Sequence, residues 1–275
     1  MSSKATAFDG ESSKIYAKIS DQHRHKDGPW MAILNKVKSF DLPIDGKIVD
    51  VASGPGEPAV TLATNLQQNI TIFSTDVSAD MHKIAAIQAI KIPNLKAMVA
   101  DAVDLSAFES NSIDVITCCY GYMFPEDKIK ALSETYRVLK PGGKLVATYW
   151  INLDFLKVAG DIMSAVTGIE SPPPPQNPMS LSEPGLFSSI AQSGGFNIDT
   201  LEYVESAYPF HLGTDKDFQY KVSTLLIKQK LDELNCHEKA KEIFHAVAQK
   251  YCVQDDSTGE LIIQNNIFAM ATLTK

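Results

Sequence analysis

Acidic residues and a glycine-rich turn carry the clearest chemical signal in the sequence. The run Ile48–Glu57 (IVDVASGPGE) is a hydrophobic segment that leads into a turn containing Gly54 and Gly56. Glycine permits positive φ angles and lets a ligand approach the backbone closely. Asp76, about 20 residues later, can accept hydrogen bonds from ribose hydroxyls, and Asp101 is placed to meet an adenine amino group. These residues predict a site for a nucleoside-containing cofactor.

The elements that would position these residues alternate between β-branched apolar runs and helical patterns, as in βαβ units. We predict strands at Lys47–Val51, Ile70–Asp76, Lys96–Val99, Ile113–Cys118 and Lys144–Tyr149. Helices are predicted between them at Glu57–Asn65, Ala79–Ile90 and Ile129–Leu139. Near-continuous apolar strands are typical of a parallel sheet covered on both faces. The predicted fold is therefore α/β, a Rossmann-like doubly wound sheet of seven mostly parallel strands with a helical lid insertion.

The segments around this alternation complete the predicted organisation. Residues 10–40 and Leu153–Val166 show helical spacing, and the run Pro172–Pro175 is predicted to be an exposed loop. Later elements are predicted as a helix at Leu186–Ser193, a strand at Ile198–Phe210, a helix-rich stretch at 215–254 and a strand at Ile262–Leu273. The predicted domains are an N-terminal helical cap over the ligand edge (1–45), a cofactor-binding core (46–210), a helical lid (211–258) and a final core strand (259–275).

The composition indicates a globular chain with an acidic balance. The 275 residues are 44% hydrophobic and 21% charged, and the formal net charge of −8 opposes attraction to nucleic acid. No window approaches the roughly 20 apolar residues that span a bilayer, and the first ten residues lack the apolar stretch of a secretory signal. We therefore expect no membrane span and a cytoplasmic location. The four cysteines form no Cys-x-x-Cys pair, so no metal is expected. A homodimer is left open.

Residues 45–150 resemble the class I S-adenosylmethionine-dependent methyltransferases, and among them the ubiquinone and menaquinone C-methyltransferases. The resemblance rests on the glycine turn, Asp76, Asp101 and the run Leu132–Gly143, which is similar to the family's helix, Pro-Gly-Gly turn and fifth strand. It implies that the turn holds the methionine part of the cofactor, that Asp76 binds the ribose and that Asp101 lies at the adenine. The residues expected to bind S-adenosylmethionine are Asp50, Ala52, Ser53, Gly54, Gly56, Asp76, Val77, Met81, Asp101, Ala102, Cys118 and Cys119.

Two departures from that family stand out. Ala52 occupies the position at which most of the resembling enzymes have the first glycine of the loop. The segment Cys119–Tyr122 falls where the quinone enzymes have a Phe-Gly turn, but it continues as Met123-Phe124 rather than as Arg-Asn. The second departure weakens the implication of a quinone substrate.

The resemblance implies transfer of a methyl group from a sulfonium to a small molecule by in-line displacement, which requires chiefly alignment and exclusion of water. Ligands of parallel sheets bind outside the carboxyl ends of the strands. The candidates for catalysis or acceptor binding there are Tyr16, His23, Arg24, His25, Trp30, Tyr122 and Trp150, with Phe124 and Asn152 as further contacts.

These candidates suggest different acceptors. A histidine or tyrosine could remove an acceptor proton, the aromatic rings could surround a sulfonium or an apolar group, and Arg24 could pair with a carboxylate. The acceptor predicted first is a small carboxylated thioether, which would give a sulfonium product. The alternative is C- or O-methylation of a quinone-like or phenolic metabolite.

Two other functions remain open from the sequence. An NAD(P)-dependent oxidoreductase would use the same architecture, but the turn lacks the third glycine of Gly-x-Gly-x-x-Gly, and no Tyr-x-x-x-Lys pair follows the fourth strand. A non-catalytic cofactor-binding partner of another methyltransferase would also retain the glycine turn and the acidic residues.

Overall fold

The computed structural model describes residues 20–172 and 176–275, so Tyr16 and most of the predicted proline loop lie outside it. A short 3-10 turn at Asp21–Arg24 precedes the first helix. The elements in chain order are α1 (Pro29–Lys38), β1 (Lys47–Val51), α2 (Ala59–Asn65), β2 (Thr71–Asp76), α3 (Ala79–Ala89), β3 (Leu95–Val99), β4 (Ile113–Cys119), α4 (Lys128–Val138), β5 (Leu139–Leu153), α5 (Asp154–Thr167), α6 (Leu186–Ser193), β6 (Glu202–His211), α7 (Lys216–Ser223), α8 (Lys228–Leu234), α9 (His237–Ala248), β7 (Cys252–Gln254) and β8 (Leu261–Thr274).

The strands form a sheet in the order β3-β2-β1-β4-β5-β8-β6, and the short strand β7 pairs with β8 outside this path. Within the part of the order that runs β3-β2-β1-β4-β5, each neighbouring pair of strands is parallel. The predicted α/β fold with a seven-stranded, mostly parallel sheet is therefore confirmed. The strand order reverses at β1, which has β2 on one side and β4 on the other. Such a reversal opens a crevice at the carboxyl ends of the strands, where ligands of this fold class bind.

Burial and capping explain the elements around this crevice. Ile48, Val49 and Val51 of β1 are almost completely buried, as expected for a central strand covered on both faces. The Ser78 side chain accepts a hydrogen bond from the Met81 amide at 3.3 Å and so caps the start of α3. Strands β1 to β4 and helix α3 begin and end within one residue of their predicted bounds, whereas α2 begins two residues later than predicted, at Ala59.

Strand β5 is longer than its predicted span of Lys144–Tyr149, because it begins before the Pro-Gly-Gly turn rather than after it. The Gly142 amide donates to the Lys275 carbonyl at 2.9 Å, and the Lys275 amide donates to the Gly143 carbonyl at 3.0 Å. These hydrogen bonds pair the two glycines with Lys275, which directly follows β8. The partner residue is remote in sequence, so local composition could not indicate it.

The chain divides into two compact units. The first comprises the described residues up to Ile151 together with Pro178–Ser206 and Phe268–Lys275, and it contains β1 to β4 with their helices. The second comprises the described residues of Asn152–Asn177 and Ala207–Ile267, including α5 and α7 to α9. The helix-rich stretch predicted at 215–254 is present, and its function as a lid remains a prediction. In the described part of the chain, no helix has the length and apolarity needed to cross a membrane.

Candidate active site

The glycine turn after β1 is held by backbone hydrogen bonds to the neighbouring strand. The Ser53 amide donates to the Thr75 carbonyl at 2.8 Å, and the Ser53 carbonyl accepts from the Gly56 and Glu57 amides. Gly54 and Gly56 have φ angles of 56° and 111°, in the region that favours glycine. A Cβ at Gly56 would also lie 3.3 Å from atoms of Ala85. The turn therefore requires glycine for both conformation and space.

Asp76 at the end of β2 connects this turn to the next helix. Its Oδ2 accepts a hydrogen bond from the Gly54 amide, and its Oδ1 accepts one from the Ser78 amide, each at 2.8 Å. A carboxylate has about four acceptor positions, so two backbone amides do not exhaust it. Asp76 is half-buried and fixes the turn through these two bonds, and its contact with ligand hydroxyls remains a prediction.

Asp50 lies below the turn and is fully buried in β1. Its Oδ1 accepts from the Thr117 hydroxyl at 2.6 Å. The Ser53 side chain beside the turn is likewise buried. Burial raises the pKa of Asp50 to about 7. Hydrogen bonding by the Ser53 and Thr117 side chains partly offsets this rise in the pKa of Asp50, so Ser53 acts on Asp50 and the pair is not by itself a sign of a ligand.

The other predicted cofactor residues follow β2, β3 and β4. The Ala100 amide donates to the Asp76 carbonyl at 3.1 Å, which brings the ends of β2 and β3 together. Asp101 and Val77 are exposed there, Ala102 is half-buried, and Met81 is buried beneath them. Cys118 and Cys119 are buried at the end of β4, and burial raises the pKa of both thiols. These two thiols are therefore protonated and contribute shape rather than reactivity.

Arg24 is engaged with protein groups and does not extend into the crevice as a free cation. Its guanidinium donates to Glu57 and Thr61 of the turn that starts α2, and to Asp21 at 3.1 Å. Glu57 is nearly buried and also accepts from the Thr61 amide at 3.0 Å. These contacts fasten the segment before α1 to the glycine turn. The cation also lies over the ring of Trp30, 5.1 Å from its centroid.

An aromatic cluster lies at the ends of β4 and β5, formed by His23, Trp30, Tyr120, Trp150 and Phe268. The Tyr120 and Trp150 rings stack with centroids 4.1 Å apart and an interplanar angle of 11°. The His23 ring meets Tyr120 edge-on at 5.3 Å and Trp30 at 5.7 Å, and Phe268 meets Tyr120 edge-on at 6.3 Å. Tyr120 has a φ angle of 59°, which is uncommon outside glycine and is found at functional sites.

The titration of His23 follows from this packing. Burial lowers its pKa to about 3, so the imidazole is neutral at physiological pH and is a weak base. His25 is more accessible, and its Nδ1 accepts from the Asp27 amide at 3.2 Å. Of the two histidines predicted as bases, His25 is the one whose ring remains open to solvent.

Three further residues predicted at the site lie after β4 or within β5. Tyr122 is buried, and its hydroxyl shares a hydrogen bond of 2.5 Å with Thr135 of α4. Phe124 is half-buried in the turn after β4. Asn152 belongs to the second unit, where its amide donates to Asp154 and to the Asn265 carbonyl. These contacts give Tyr122 and Asn152 structural partners, so we assign no reaction step to either residue.

Sequence reasoning did not select Tyr120, Glu57 or Phe268 as site residues. A signal for Tyr120 was present, because a Tyr-Gly pair directly after a predicted strand marks a tight turn at a carboxyl end. No comparable signal marked Phe268, which reaches the cluster from the last strand, or Glu57, whose partner Arg24 lies 33 residues earlier.

A parallel sheet that reverses at β1, a glycine turn at the reversal and acidic residues at the ends of β2 and β3 define a Rossmann-like nucleotide-binding protein. The model of the ubiE/COQ5 methyltransferase family matches residues 16–165, more than half of the chain. The chain therefore belongs to the ubiE/COQ5 methyltransferase family.

Individual relatives agree with this assignment over part of their length. The ubiquinone/menaquinone biosynthesis C-methyltransferase UbiE of Rickettsia felis is 40% identical over 121 residues, which cover 42% of this chain and 46% of that enzyme. The chain thus matches about half the length of this curated relative.

Solved structures show the same fold at low sequence identity. The YcgJ protein of Bacillus subtilis is 15% identical with a TM-score of 0.57, over 90% of this chain and 97% of that one. A phosphoethanolamine N-methyltransferase 2 of Haemonchus contortus, bound to phosphomonomethylethanolamine and S-adenosylhomocysteine, is 20% identical with a TM-score of 0.57, over 98% of this chain and 58% of that one.

Proposed function

We propose that this protein is an S-adenosylmethionine-dependent methyltransferase that acts on a small molecule. The proposal rests on the position of Asp76 beside the glycine turn, where its carboxylate accepts hydrogen bonds from the Gly54 and Ser78 amides. This arrangement presents a charged acceptor where a cofactor ribose would lie. Membership of the family supports the same activity, and S-adenosylhomocysteine is bound by a protein of this fold.

The chain's own residues would bind and shield the cofactor. Gly54 and Gly56 allow close approach to the backbone, Asp76 accepts from the ribose, and Val77 and Asp101 lie exposed beside it. The cofactor supplies an activated methyl group, so the protein must chiefly align the acceptor and exclude water. Arg24 contributes by fastening the segment before α1 to the turn.

For the acceptor, we favour an uncharged aromatic compound, such as a phenol or a quinone-like ring, over a small carboxylated thioether. The two groups nearest the aromatic cluster that could pair with a carboxylate do not supply a free charge. Arg24 is paired with Glu57, and His23 is neutral because burial lowers its pKa to about 3. The UbiE relative is a C-methyltransferase of quinone biosynthesis by its name. A phenolic acceptor needs a base, for which His25 is the accessible candidate.

The experiment compares acceptors directly with one labelled cofactor. Purified protein is incubated with methyl-labelled S-adenosylmethionine and either a panel of phenols and hydroquinones or a panel of carboxylated thioethers, and the products are identified by mass. We expect labelled products from the aromatic panel and none from the Gly54→Val control. Label in the thioether panel alone would overturn the acceptor class.

Thermal shifts separate the remaining alternatives. S-adenosylmethionine and S-adenosylhomocysteine should raise the melting temperature by several degrees at concentrations well above their Kd, and NADH should not. Stabilisation by NADH alone would favour an oxidoreductase. Stabilisation by S-adenosylmethionine without any methylated product from an extract would favour a non-catalytic partner subunit.

A further inference from the structure

We propose that Ala52 and Gly121 are a pair of positioning residues whose steric contact couples the glycine turn to the Tyr120 ring. This proposal rests on the proposed function only for the ligand used in its test. The contact joins the ends of two neighbouring strands, since β1 and β4 pair in parallel and Asp50 lies opposite Thr117. Ala52 directly follows β1, and Tyr120 and Gly121 directly follow β4.

The space at Gly121 is already filled by Ala52. A Cβ at position 121 would lie 2.5 Å from the Ala52 Cβ and 2.6 Å from the Cys118 Sγ. Carbon atoms in contact are normally separated by 3.5–4.0 Å. Gly121 has no positive φ angle, so its requirement for glycine is steric and not conformational. The Ala52 methyl group and the Cys118 thiol together therefore leave room only for glycine at 121.

Ala52 and Tyr120, the residue before Gly121, hold uncommon backbone geometry on the ligand side of the sheet. Ala52 has a φ angle of 55°, and Tyr120, next to Gly121, has one of 59°. The Tyr120 amide also donates to the Thr148 carbonyl at 3.1 Å, and its ring stacks on Trp150. Because there is no free space between Ala52 and Gly121, we expect a displacement of Ala52 to displace Gly121 as well. The Tyr120 ring, on the neighbouring residue, should then shift against Trp150.

Binding of a ligand at the glycine turn should therefore change the environment of the aromatic cluster. Ala52 is one residue from Ser53 and two from Gly54, which offer the backbone that the cofactor approaches. The chain has two tryptophans, Trp30 and Trp150, and both belong to the cluster. Intrinsic tryptophan fluorescence therefore reports on the cluster alone, without any added probe.

The first measurement is a double-mutant cycle on stability without ligand. Gly121→Ala should lower the melting temperature strongly, because its Cβ overlaps Ala52. Adding Ala52→Gly should recover a substantial part of that loss, although the contact with Cys118 remains. Gly160→Ala is the matched control, since a Cβ at Gly160 meets nothing within 4 Å, and its melting temperature should stay within about two degrees. Equal losses for Gly121→Ala with and without Ala52→Gly would overturn the steric contact.

The second measurement tests the coupling between the glycine turn and the aromatic cluster. It uses a saturating concentration of S-adenosylhomocysteine, so that a variant with weaker affinity is still fully bound. The fluorescence change on adding it should fall at least twofold in Ala52→Gly relative to the parent and to Gly160→Ala. An undiminished change in Ala52→Gly would overturn the coupling even if Gly121→Ala fails to fold. If S-adenosylhomocysteine does not bind the parent protein at all, the proposed function is wrong. The double-mutant cycle on stability uses no ligand, so it still tests the steric contact between Ala52 and Gly121.

Discussion

Replacing Asp76 tests the site most directly, because one carboxylate serves both the protein and the ligand. Asp76→Ala removes the acceptors of the Gly54 and Ser78 amides, both at 2.8 Å. Hydrogen bonds to a charged group contribute about 1.5–3 kcal/mol each when buried. Asp76 is half-buried, so the lower end applies, and the free energy of unfolding should fall by about 3 kcal/mol.

The effect on the ligand is separate and additional. Loss of the acceptor for the ribose hydroxyls should weaken binding of S-adenosylhomocysteine by about 1–3 kcal/mol, which corresponds to about 5- to 150-fold in Kd. Asp76→Asn should be nearly as damaging, because the amide nitrogen would face a backbone N–H, and two donors cannot bond. Urea unfolding measures the first effect and titration calorimetry the second.

The matched control is Asp217→Ala. Asp217 is an exposed carboxylate in α7 that pairs with Lys221, and such surface pairs contribute about 0–1 kcal/mol. This variant should bind like the parent. A folded Asp76→Ala protein whose Kd for S-adenosylhomocysteine equals that of the parent would refute the assignment of Asp76 to the ribose.

Three further predictions follow from the same site. Gly54→Val should abolish cofactor binding with little change in helical circular dichroism, because φ is positive and the backbone must stay open; normal turnover would reduce the loop to a simple turn. Because burial raises the Asp50 pKa to about 7, the folded chain holds this proton more tightly than the unfolded one, and stability should fall by up to ~4 kcal/mol between about pH 4 and 7. Asp50→Asn should remove that component and be the more stable protein at pH 8 in urea titrations, so stability curves that stay parallel to the parent's would contradict the burial argument. Deleting residues 1–25 removes Arg24 from Glu57 and should leave a less stable, folded core with much lower turnover; hydrogen exchange of residues 20–28 in the full chain should slow when S-adenosylhomocysteine is added, and equal exchange would mean that this segment does not close over the ligand.

The sequence was sufficient for the elements whose signals are local. Strand β1 begins and ends at Lys47 and Val51 as predicted, and α6 begins and ends at Leu186 and Ser193. Both are short apolar segments bounded by glycine or polar residues, so neighbouring residues alone define them. The glycine turn was found for the same reason, because glycine favours the positive φ angles of Gly54 and Gly56.

The sequence was insufficient where a residue's role depends on a distant partner. The sequence suggests that Arg24 is a free cation, but its guanidinium forms an ion pair with Glu57. His23 reads as a base near neutral pH, yet burial among aromatic rings makes it a weak one. The rings of His23, Trp150 and Phe268 contact Tyr120 from separate elements, and no spacing along the chain reveals that convergence.

Strand β6 at the border of the sheet has a consequence for how copies of this protein meet at high concentration. An outermost strand presents unpaired backbone groups, and a second chain can add to them and start aggregation. The exposed beginning of β6 combines Tyr203 and Val204, which favour such addition, with Glu202 and Glu205 on either side. Any strand laid alongside must bring its own backbone next to these carboxylates, and an identical copy would bring like charges. Glu202 is paired with Lys36 at 2.6 Å, so the exposed Glu205 is the side chain that chiefly disfavours addition of a second strand at this edge.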